Sequence, residues 1–372
     1  MKTGQAQSPV EPHGLKVRLR GWRNRIIGSR AFQRHAAANP FLRPIARARA
    51  GALFDLVAGF AYSQVLLCTV ESGCVERLGK GLASTAELAD LAGLSPEAAL
   101  RLLRAAAAIG IAEEVADGWW MLGRHGAALH GNEGALAMIR HHKLLYADLA
   151  DPLALLRQDR GETTALSRFW SYAGAEKTAE EGEAGAYSQL MAASQTAVSD
   201  EVLAAYDFSR HRSLLDVGGG HGAFLDAVGK AHPGLRLGLF DLPQVVARLE
   251  PGRVAVHAGS FLSDDLPRGY DCASLVRILH DHDNEPALQI LRNIRAALKP
   301  GGTLLIAEPM AATPGAEAMG DAYFGLYLWA MGQGRPRTTK EIRAMLRDAG
   351  FARSRSVTTR QPLIASLIVA RA

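Results

Sequence analysis

The sequence predicts an α/β protein in which a smaller, mainly helical N-terminal domain precedes a doubly wound domain with a buried sheet. Three observations predict this class. The 372 residues are more than one hydrophobic core usually organises. The first half contains two short helical patterns followed by a hairpin signal. The second half contains a glycine-rich loop between an apolar strand and a helix, which is typical of nucleotide-binding sheets.

The composition is that of an ordinary globular protein, since 48% of the residues are hydrophobic and 21% are charged. The longest uncharged apolar stretch, Leu56–Val70, includes serine, glutamine and threonine, so it predicts a buried helix and not a membrane span. No hydrophobic signal core opens the sequence, and its cysteines are too few for a disulfide framework or a zinc site: Cys68, Cys74 and Cys272. We therefore expect a metal-free protein in a reducing, cytoplasmic setting.

Charge is concentrated at the N-terminus. Residues 1–50 contain 11 lysines and arginines and one acid, a net charge of +10, whereas the whole chain carries +5. We assign residues 1–48 to a basic arm, which could contact nucleic acid, an anionic membrane surface or a partner, or could simply be solvated. Helical spacing within the arm places four apolar residues on one stripe, which makes peripheral membrane contact possible: Leu15, Leu19, Trp22 and Ile26.

The next segment, residues 49–165, reads as a winged-helix domain. The pair Ser84-x-x-Glu87 is a capping box that opens a short helix, which ends at Gly93. A second helix begins at Pro96, the favoured first helical position. The dipeptide Asp117-Gly118 between two apolar runs predicts a hairpin with a type I′ turn.

A winged helix suggests DNA binding, but this one lacks the necessary donors. Its second helix, Pro96–Ile109, offers only Arg101 and Arg104, opposed by Glu97. Recognition of a DNA groove requires phosphate and base-edge donors, so we expect no nucleic-acid partner. The apolar helix Phe54–Val70 instead provides a surface for a homodimer.

The second domain, residues 166–372, is organised around the glycine loop. An acid-rich segment, 174–185, predicts a mobile loop, and a helix around 187–206 leads to the strand Leu214–Val217. The loop Gly218–Gly222 follows, and a helix begins at Ala223. Glycines there permit a positive φ and close approach of a ligand to the backbone.

Two cofactors fit this loop when it is considered alone. The pattern Gly218-x-Gly220-x-x-Ala223 satisfies the dinucleotide fingerprint, while Asp216-x-Gly218-x-Gly220-x-Gly222 fits an S-adenosylmethionine loop. Asp241, at the end of the next strand, could accept hydrogen bonds from both ribose hydroxyls of either cofactor. The loop therefore leaves the cofactor open.

Downstream segments distinguish the two cofactors. A strand within 270–276 ends near His280-Asp281, and a helix leads through the turn Pro300-Gly301-Gly302 into a buried strand that ends at Glu308. This order of loop, acid, strand and turn resembles the Rossmann-like class I methyltransferases. The resemblance implies S-adenosylmethionine as the cofactor and S-adenosylhomocysteine as the product.

The surroundings of His280 narrow the resemblance. The segment Arg277–Asp283, followed by Glu308, resembles the plant-type small-molecule O-methyltransferases, which also carry a winged-helix dimerisation domain. The amino-acid sequences of that segment and of Gly334–Thr338 resemble those of the bacterial carotenoid O-methyltransferases that act on hydroxyneurosporene and demethylspheroidene. A lipophilic hydroxylated acceptor is therefore implied. A phenolic or polyketide acceptor is the alternative, and a metabolite-sensing winged-helix regulator is a more distant one.

The resemblance also implies roles for individual residues. His280 would be the general base, and Glu308 would bind its other ring nitrogen. The implied cofactor-binding residues are Asp216, Gly218, Gly220, Asp241, Leu242, Ser260, Phe261 and Arg277. The implied acceptor pocket contains Tyr187, Met191, Asp281, Tyr327 and Met331, beside further aromatic residues at 323, 324 and 329.

The chain departs from the plant pattern at three positions. Ser260 replaces an acid that contacts the adenine amino group. Val276 replaces a lysine, and Arg277 follows one position later. Pro336 replaces a second supporting glutamate, so either Glu308 suffices to orient the histidine or the acceptor requires a different polarity in the pocket.

Overall fold

The computed structural model describes residues 14–160, 162–171, 181–247, 249 and 252–372, with the backbone alone at 171, 181–189 and 191–193. The chain divides into two compact units, Met1–Thr69 and Val70–Ala372. Residues 174–180 of the predicted mobile loop lie outside the described residues, whereas residues 181–185 begin a helix, Glu181–Ala205, so the loop prediction is wrong there. The domain boundaries placed at residues 48 and 165 stay a prediction.

The first unit is helical. Its elements are α1 (Leu15–Gly28), α2 (Arg30–Ala38) and most of α3 (Arg43–Glu71). The hydroxyl of Ser29 caps α2 by accepting the main-chain N–H of Phe32 at 3.2 Å. The helix predicted for the apolar stripe of the basic arm is thus confirmed as α1, on which Leu15, Leu19 and Trp22 are exposed.

Helix α3 corrects one expectation. Within the single chain it is largely uncovered, with Leu56 82% and Phe60 75% exposed, so the prediction of a buried helix over Leu56–Val70 is wrong there. By length and composition alone, α3 is a helix that could cross a membrane. Its apolar residues are continuous over several turns, and many of them stay exposed to solvent when only the described residues are considered.

The second unit begins with the winged helix. It contains α4 (Cys74–Gly79), β1 (Ala83–Ser84), α5 (Thr85–Ala92), α6 (Pro96–Ala108), β2 (Ala112–Ala116) and β3 (Trp119–Leu122). The three strands form an antiparallel sheet in the order β1-β3-β2. Trp120 is fully buried, and its indole N–H donates to Thr85 Oγ1 at 2.9 Å, which joins the hairpin to α5. The predicted helices and hairpin are confirmed.

A group of helices leads from the wing to the large sheet. They are α7 (Arg124–Leu129), α8 (Glu133–Asp148), α9 (Pro152–Arg157), α10 (Ala165–Ser171) and α11 (Glu181–Ala205). Helix α8 packs against α10 and α11. The Asp148 carboxylate accepts the main-chain N–H groups of Ala165 and Leu166 at 2.8 and 2.9 Å, so it fixes the start of α10.

The large sheet is mixed. Its strands are β4 (Ser213–Val217), β5 (Arg236–Asp241), β6 (Ala255–Ala258), β7 (Cys272–Val276), β8 (Thr303–Glu308), β9 (Arg353–Val357) and β10 (Ser366–Arg371). Across the described residues their order is β6-β5-β4-β7-β8-β10-β9. The first five strands in this order pair in parallel, and β10 is antiparallel to both of its neighbours.

Helices cover both faces of this sheet, as a doubly wound domain requires. They include α12 (Ala223–Ala231), α13 (Pro243–Val246), α14 (Asn284–Ala297) and α16 (Thr339–Asp348), whereas α15 (Gly325–Met331) packs against α8 and α10. Successive residues of β4 point to opposite faces, so Leu214 and Leu215 belong to different core clusters. The carboxyl ends of β4, β5, β7 and β8 meet at one edge, where ligands bind in open α/β sheets.

Candidate active site

The glycine loop turns sharply between β4 and α12. Gly218, Gly220 and Gly222 have φ values of +73°, +57° and +80°, which side chains rarely adopt. A Cβ atom at Gly218 would lie 2.6 Å from Ile278 Cδ1 and 3.3 Å from Phe261 Cε1. A Cβ at Gly220 or Gly222 would meet nothing within 4 Å, so these two positions face open space in which a ligand can approach the backbone.

Asp241, at the end of β5, is tied to this loop. Its carboxylate accepts the main-chain N–H of Gly220 and that of Leu242, each at 2.7 Å. Burial raises the pKa of Asp241, although both N–H groups oppose that change. The structure thus brings together Gly218, Gly220, Asp241 and Leu242, four of the residues predicted to bind the cofactor.

Asp216 lies beneath the loop, almost fully buried. Ser274 Oγ donates to Asp216 Oδ1 at 2.6 Å, while Oδ2 has no hydrogen-bond partner within the described residues. Burial raises the pKa of Asp216 to about 7. A buried acceptor without a donor, next to a second carboxylate at Asp241, suits a ligand that carries positive charge and hydrogen-bond donors. Both properties are present in the amino acid and ribose parts of S-adenosylmethionine.

The segment after β6 forms the next side of the site. The main-chain N–H of Gly259 donates to Asp241 O at 2.9 Å, which fixes this segment beside β5. Phe261 lies against the glycine loop, and its ring packs edge-on against His282 at 5.5 Å between centroids. Ser260 Oγ accepts the N–H of Leu262 at 3.3 Å, so its hydroxyl engages its own turn.

Arg277 follows β7 in a strained conformation. Its φ is +59°, and its main-chain N–H donates to Ala307 O at 2.8 Å. The guanidinium donates to Ser194 Oγ on α11 at 2.7 Å, so Arg277 joins the end of the sheet to that helix. The side chains of Tyr187 and Met191, earlier on α11, lie outside the described residues.

His280 and Glu308 meet at the carboxyl edge. His280 lies on a 3-10 turn, Leu279–Asp281, and is 7% exposed. Its Nδ1 is 3.3 Å from Glu308 Oε2, the oxygen that also accepts the main-chain N–H of His280 at 3.2 Å. Its Nε2 is 3.2 Å from Asp281 Oδ1.

The charge on His280 is set by opposing effects. Burial lowers the pKa of the imidazole, but Asp281 and the hydrogen-bonded Glu308 outweigh burial and raise it. A neutral imidazole has one N–H, so only the protonated ring can donate to both carboxylates. The site therefore stabilises the imidazolium that forms when His280 accepts a proton.

A group of aromatic residues, here called the aromatic wall, lies beside His280. Tyr323 and Phe324 belong to a turn of π-helix, Met319–Phe324, and Tyr327 and Met331 follow on α15. The ring of Phe324 is 5.9 Å from that of His280. Tyr327 and Met331 are buried in one apolar cluster. The wall thus includes two of the residues predicted for the acceptor pocket.

The wall contains two tyrosine–histidine pairs that sequence reasoning missed. Tyr327 Oη is 2.7 Å from His141 Nε2 and accepts the Trp170 indole N–H at 3.0 Å. Tyr323 Oη is 2.6 Å from His142 Nε2. Burial raises the pKa of both tyrosines, lowers that of His141 to about 4 and also lowers that of His142, so burial favours the uncharged form of both pairs.

Comparison with known proteins identifies the class. The O-methyltransferase domain family matches residues 146–352, which is more than half of the chain. The chain belongs to this family and is an S-adenosylmethionine-dependent O-methyltransferase. This result favours an enzyme over a winged-helix regulator.

Two similar proteins carry names that specify an activity within this family. Demethylspheroidene O-methyltransferase of Cereibacter sphaeroides is 42% identical over 357 residues, covering 93% of each chain. The enzyme of that name from Rhodobacter capsulatus is 41% identical over 335 residues, covering 89% of this chain and 84% of its own. Among solved structures, CalO1, a methyltransferase in calicheamicin biosynthesis with S-adenosylhomocysteine bound, has a TM-score of 0.74 at 27% identity, covering 87% of this chain and 98% of its own.

Proposed function

We propose that this enzyme transfers the methyl group of S-adenosylmethionine to a hydroxyl group of a lipophilic small molecule, a hydroxylated carotenoid. The observation that carries the proposal is the 42% identity to a demethylspheroidene O-methyltransferase over 93% of the chain. The site adds support, because the wall beside His280 is aromatic and uncharged. Flat apolar contacts of this kind suit a polyene.

The proposed chemistry assigns a proton transfer to His280. Bound S-adenosylmethionine supplies a methyl group on a positively charged sulfur, and the acceptor oxygen forms its bond to carbon as the carbon–sulfur bond breaks. With its Nδ1 donating to Glu308, the neutral His280 ring takes the hydroxyl proton of the acceptor at Nε2, the nitrogen that lies 3.2 Å from Asp281 Oδ1. The resulting imidazolium donates to Glu308 and Asp281, which lie within 3.3 Å of its two nitrogens. A base of this kind contributes roughly 10²–10⁴ to the rate.

The acceptor test compares two chemical classes. Purified enzyme is given radiolabelled S-adenosylmethionine with either a hydroxylated carotenoid in vesicles or a simple phenol in solution. We expect label in the carotenoid ether, with a higher kcat/KM for the carotenoid than for the phenol. Faster methylation of the phenol would favour the alternative aromatic acceptor.

We also propose that the enzyme is a homodimer that uses the uncovered face of α3. Large apolar side chains between residues 53 and 60 that are more than half exposed in the single chain define this face: Leu53, Phe54, Leu56, Val57 and Phe60. Exposed apolar patches of this kind mark interaction sites, and a second copy of the chain provides a matching surface. Sedimentation analysis tests this state, since a monomer at micromolar concentration would contradict it.

A third proposal concerns location. We propose that the enzyme is cytoplasmic and contacts the inner membrane surface through α1, where the exposed Leu15, Leu19 and Trp22 lie among arginines. Each basic residue near an anionic surface contributes on the order of 1 kcal/mol, which salt screens. High salt should therefore release the enzyme from anionic vesicles. Retention after alkaline carbonate extraction would instead indicate that α3 spans the membrane.

A further inference from the structure

The turn that carries His280 packs against a short segment that precedes α16. Residues Gly334–Arg337, here called the 334–337 segment, lie outside the strands of the large sheet and directly against Leu279–His282. The main-chain N–H of Arg335 donates to His280 O at 2.9 Å. The contact is so close that a Cβ atom at Gly334, whose φ is +82°, would lie 2.7 Å from the carbonyl carbon of Asp281.

Arg337 also contacts this turn through its side chain. Its Nη1 donates to Leu279 O at 2.6 Å and its Nη2 donates to His282 O at 2.7 Å. Nη2 also donates to Asn284 Oδ1 at 3.1 Å. The carbonyls on either side of His280 are thus held by a single guanidinium, whose planar fork fixes their separation.

The burial of Arg337 argues against a role in stability alone. The residue is 0% exposed, and its Nε has no hydrogen-bond partner in the described part of the chain. Burying a guanidinium is costly, and apolar residues of similar volume often replace buried charges without loss of stability. A buried arginine whose donors go to the backbone around one histidine therefore points to placement of that histidine.

The position of His280 is sensitive to small displacements. Its contacts with Glu308, at 3.2 Å from the main-chain nitrogen and 3.3 Å from Nδ1, are near the upper limit for hydrogen bonds. A shift of the turn by about 0.5 Å away from β8 would break both contacts. Such a shift would free the ring to rotate and misplace Nε2 relative to the acceptor, and errors of about 1 Å can lower rates substantially.

We propose that Arg337 is a positioning residue that holds the turn Leu279–His282 so that His280 keeps Nδ1 on Glu308 and presents Nε2 to the acceptor hydroxyl. The proposal rests on the proposed role of His280 as the general base. It assigns Arg337 no contact with the donor or the acceptor. Its effect on turnover therefore passes entirely through His280.

A double-mutant cycle tests this inference. Turnover is measured for Arg337→Gln, His280→Ala and the combined variant, together with calorimetric binding of S-adenosylhomocysteine. We expect Arg337→Gln to lower kcat by about 10-fold or more, with the donor Kd and the acceptor KM changed less than about twofold. In the His280→Ala background the same substitution should cause no further loss, because the group that Arg337 positions is already absent.

Control variants separate positioning from general stability. Arg335→Gln changes a neighbouring arginine whose side chain bonds Asn284 and Glu341 but not the carbonyls of the turn, so its kcat should stay near wild type. Arg337→Lys keeps the charge but cannot reproduce the fork, and it should recover only part of the loss. If Arg337→Gln does not fold, the same cycle is measured with Arg337→Lys.

The outcomes are distinct. An equal loss on replacing Arg337 in both backgrounds, or a weakened donor Kd, would overturn the positioning role and leave Arg337 as a structural residue. Wild-type turnover by His280→Ala would instead refute the base assignment on which the inference rests.

Discussion

Replacing Asp241 should weaken donor binding, because its carboxylate is the charged group at the end of β5 beside the glycine loop. In Asp241→Ala the N–H groups of Gly220 and Leu242 lose their 2.7 Å acceptors, and the donor ribose loses its proposed one. One charge-assisted hydrogen bond contributes about 1.5–3 kcal/mol, so Kd should rise roughly 10- to 100-fold. Asp241→Asn keeps one acceptor oxygen and should cause a smaller increase.

Calorimetric titration with S-adenosylhomocysteine measures this effect directly. Asp226→Ala is the matched control, because that acid is exposed on α12 and should leave Kd unchanged. A thermal melt near that of wild type shows that the variant is folded. An unchanged Kd for Asp241→Ala would refute the placement of the donor across the loop, and binding of NADH without a response to S-adenosylhomocysteine would favour a dinucleotide.

Three further predictions concern the base, the dimer and the arm. His280 must be neutral to accept a proton, so activity should fall as the pH drops through the raised pKa of its imidazole. Glu308→Gln removes one cause of that raised pKa and should move the acidic limb of the kcat profile to lower pH. An unmoved limb would mean that another group titrates. Phe60→Glu places a charge on the uncovered face of α3 and should shift the sedimentation profile towards monomer, whereas an unchanged dimer would locate the interface elsewhere. Trp22→Ala with Arg23→Gln should reduce pelleting with anionic vesicles without changing donor Kd, and unchanged pelleting would remove the arm from membrane contact.

Local signals in the sequence located the helix α5, the β2–β3 hairpin and the strands that carry the site. The capping box at Ser84 predicts the start of α5 and its side chain accepts the Glu87 N–H at 3.2 Å, while Asp117-Gly118 correctly predicts the β2–β3 hairpin. The strands of the large sheet that carry the site appear within two residues of their predicted bounds. These features succeed because each depends on residues close together in the chain.

Contacts between distant residues were beyond sequence reasoning. His141 and Tyr327 are 186 residues apart, and each has a plausible alternative as a core residue, so no spacing signals their pairing. The adjacent histidines on α8 were the only hint. Arg337 lay within a recognised motif, but its bonds to main-chain carbonyls depend on the path of the turn Leu279–His282, which side-chain patterns do not report.

The prediction that the apolar part of α3 is buried was wrong for a different reason. A continuous apolar run indicates that a helix is covered, but it does not identify what covers it. Among the described residues, Leu56 and Phe60 are 82% and 75% exposed. Burial by a second copy or by another apolar environment cannot be distinguished by hydrophobicity within one sequence.

The central claim is that His280 activates a hydroxyl of a lipophilic acceptor for methyl transfer. The most direct measurement is the rate of transfer from radiolabelled S-adenosylmethionine to a hydroxylated carotenoid in vesicles, for wild type and for His280→Ala at neutral pH. We expect label in the carotenoid ether with wild type, a rate that is lower by about 10²-fold or more with the variant, and equal donor Kd values for the two enzymes. Equal rates for the two enzymes, or no label in the carotenoid with wild type, would contradict it.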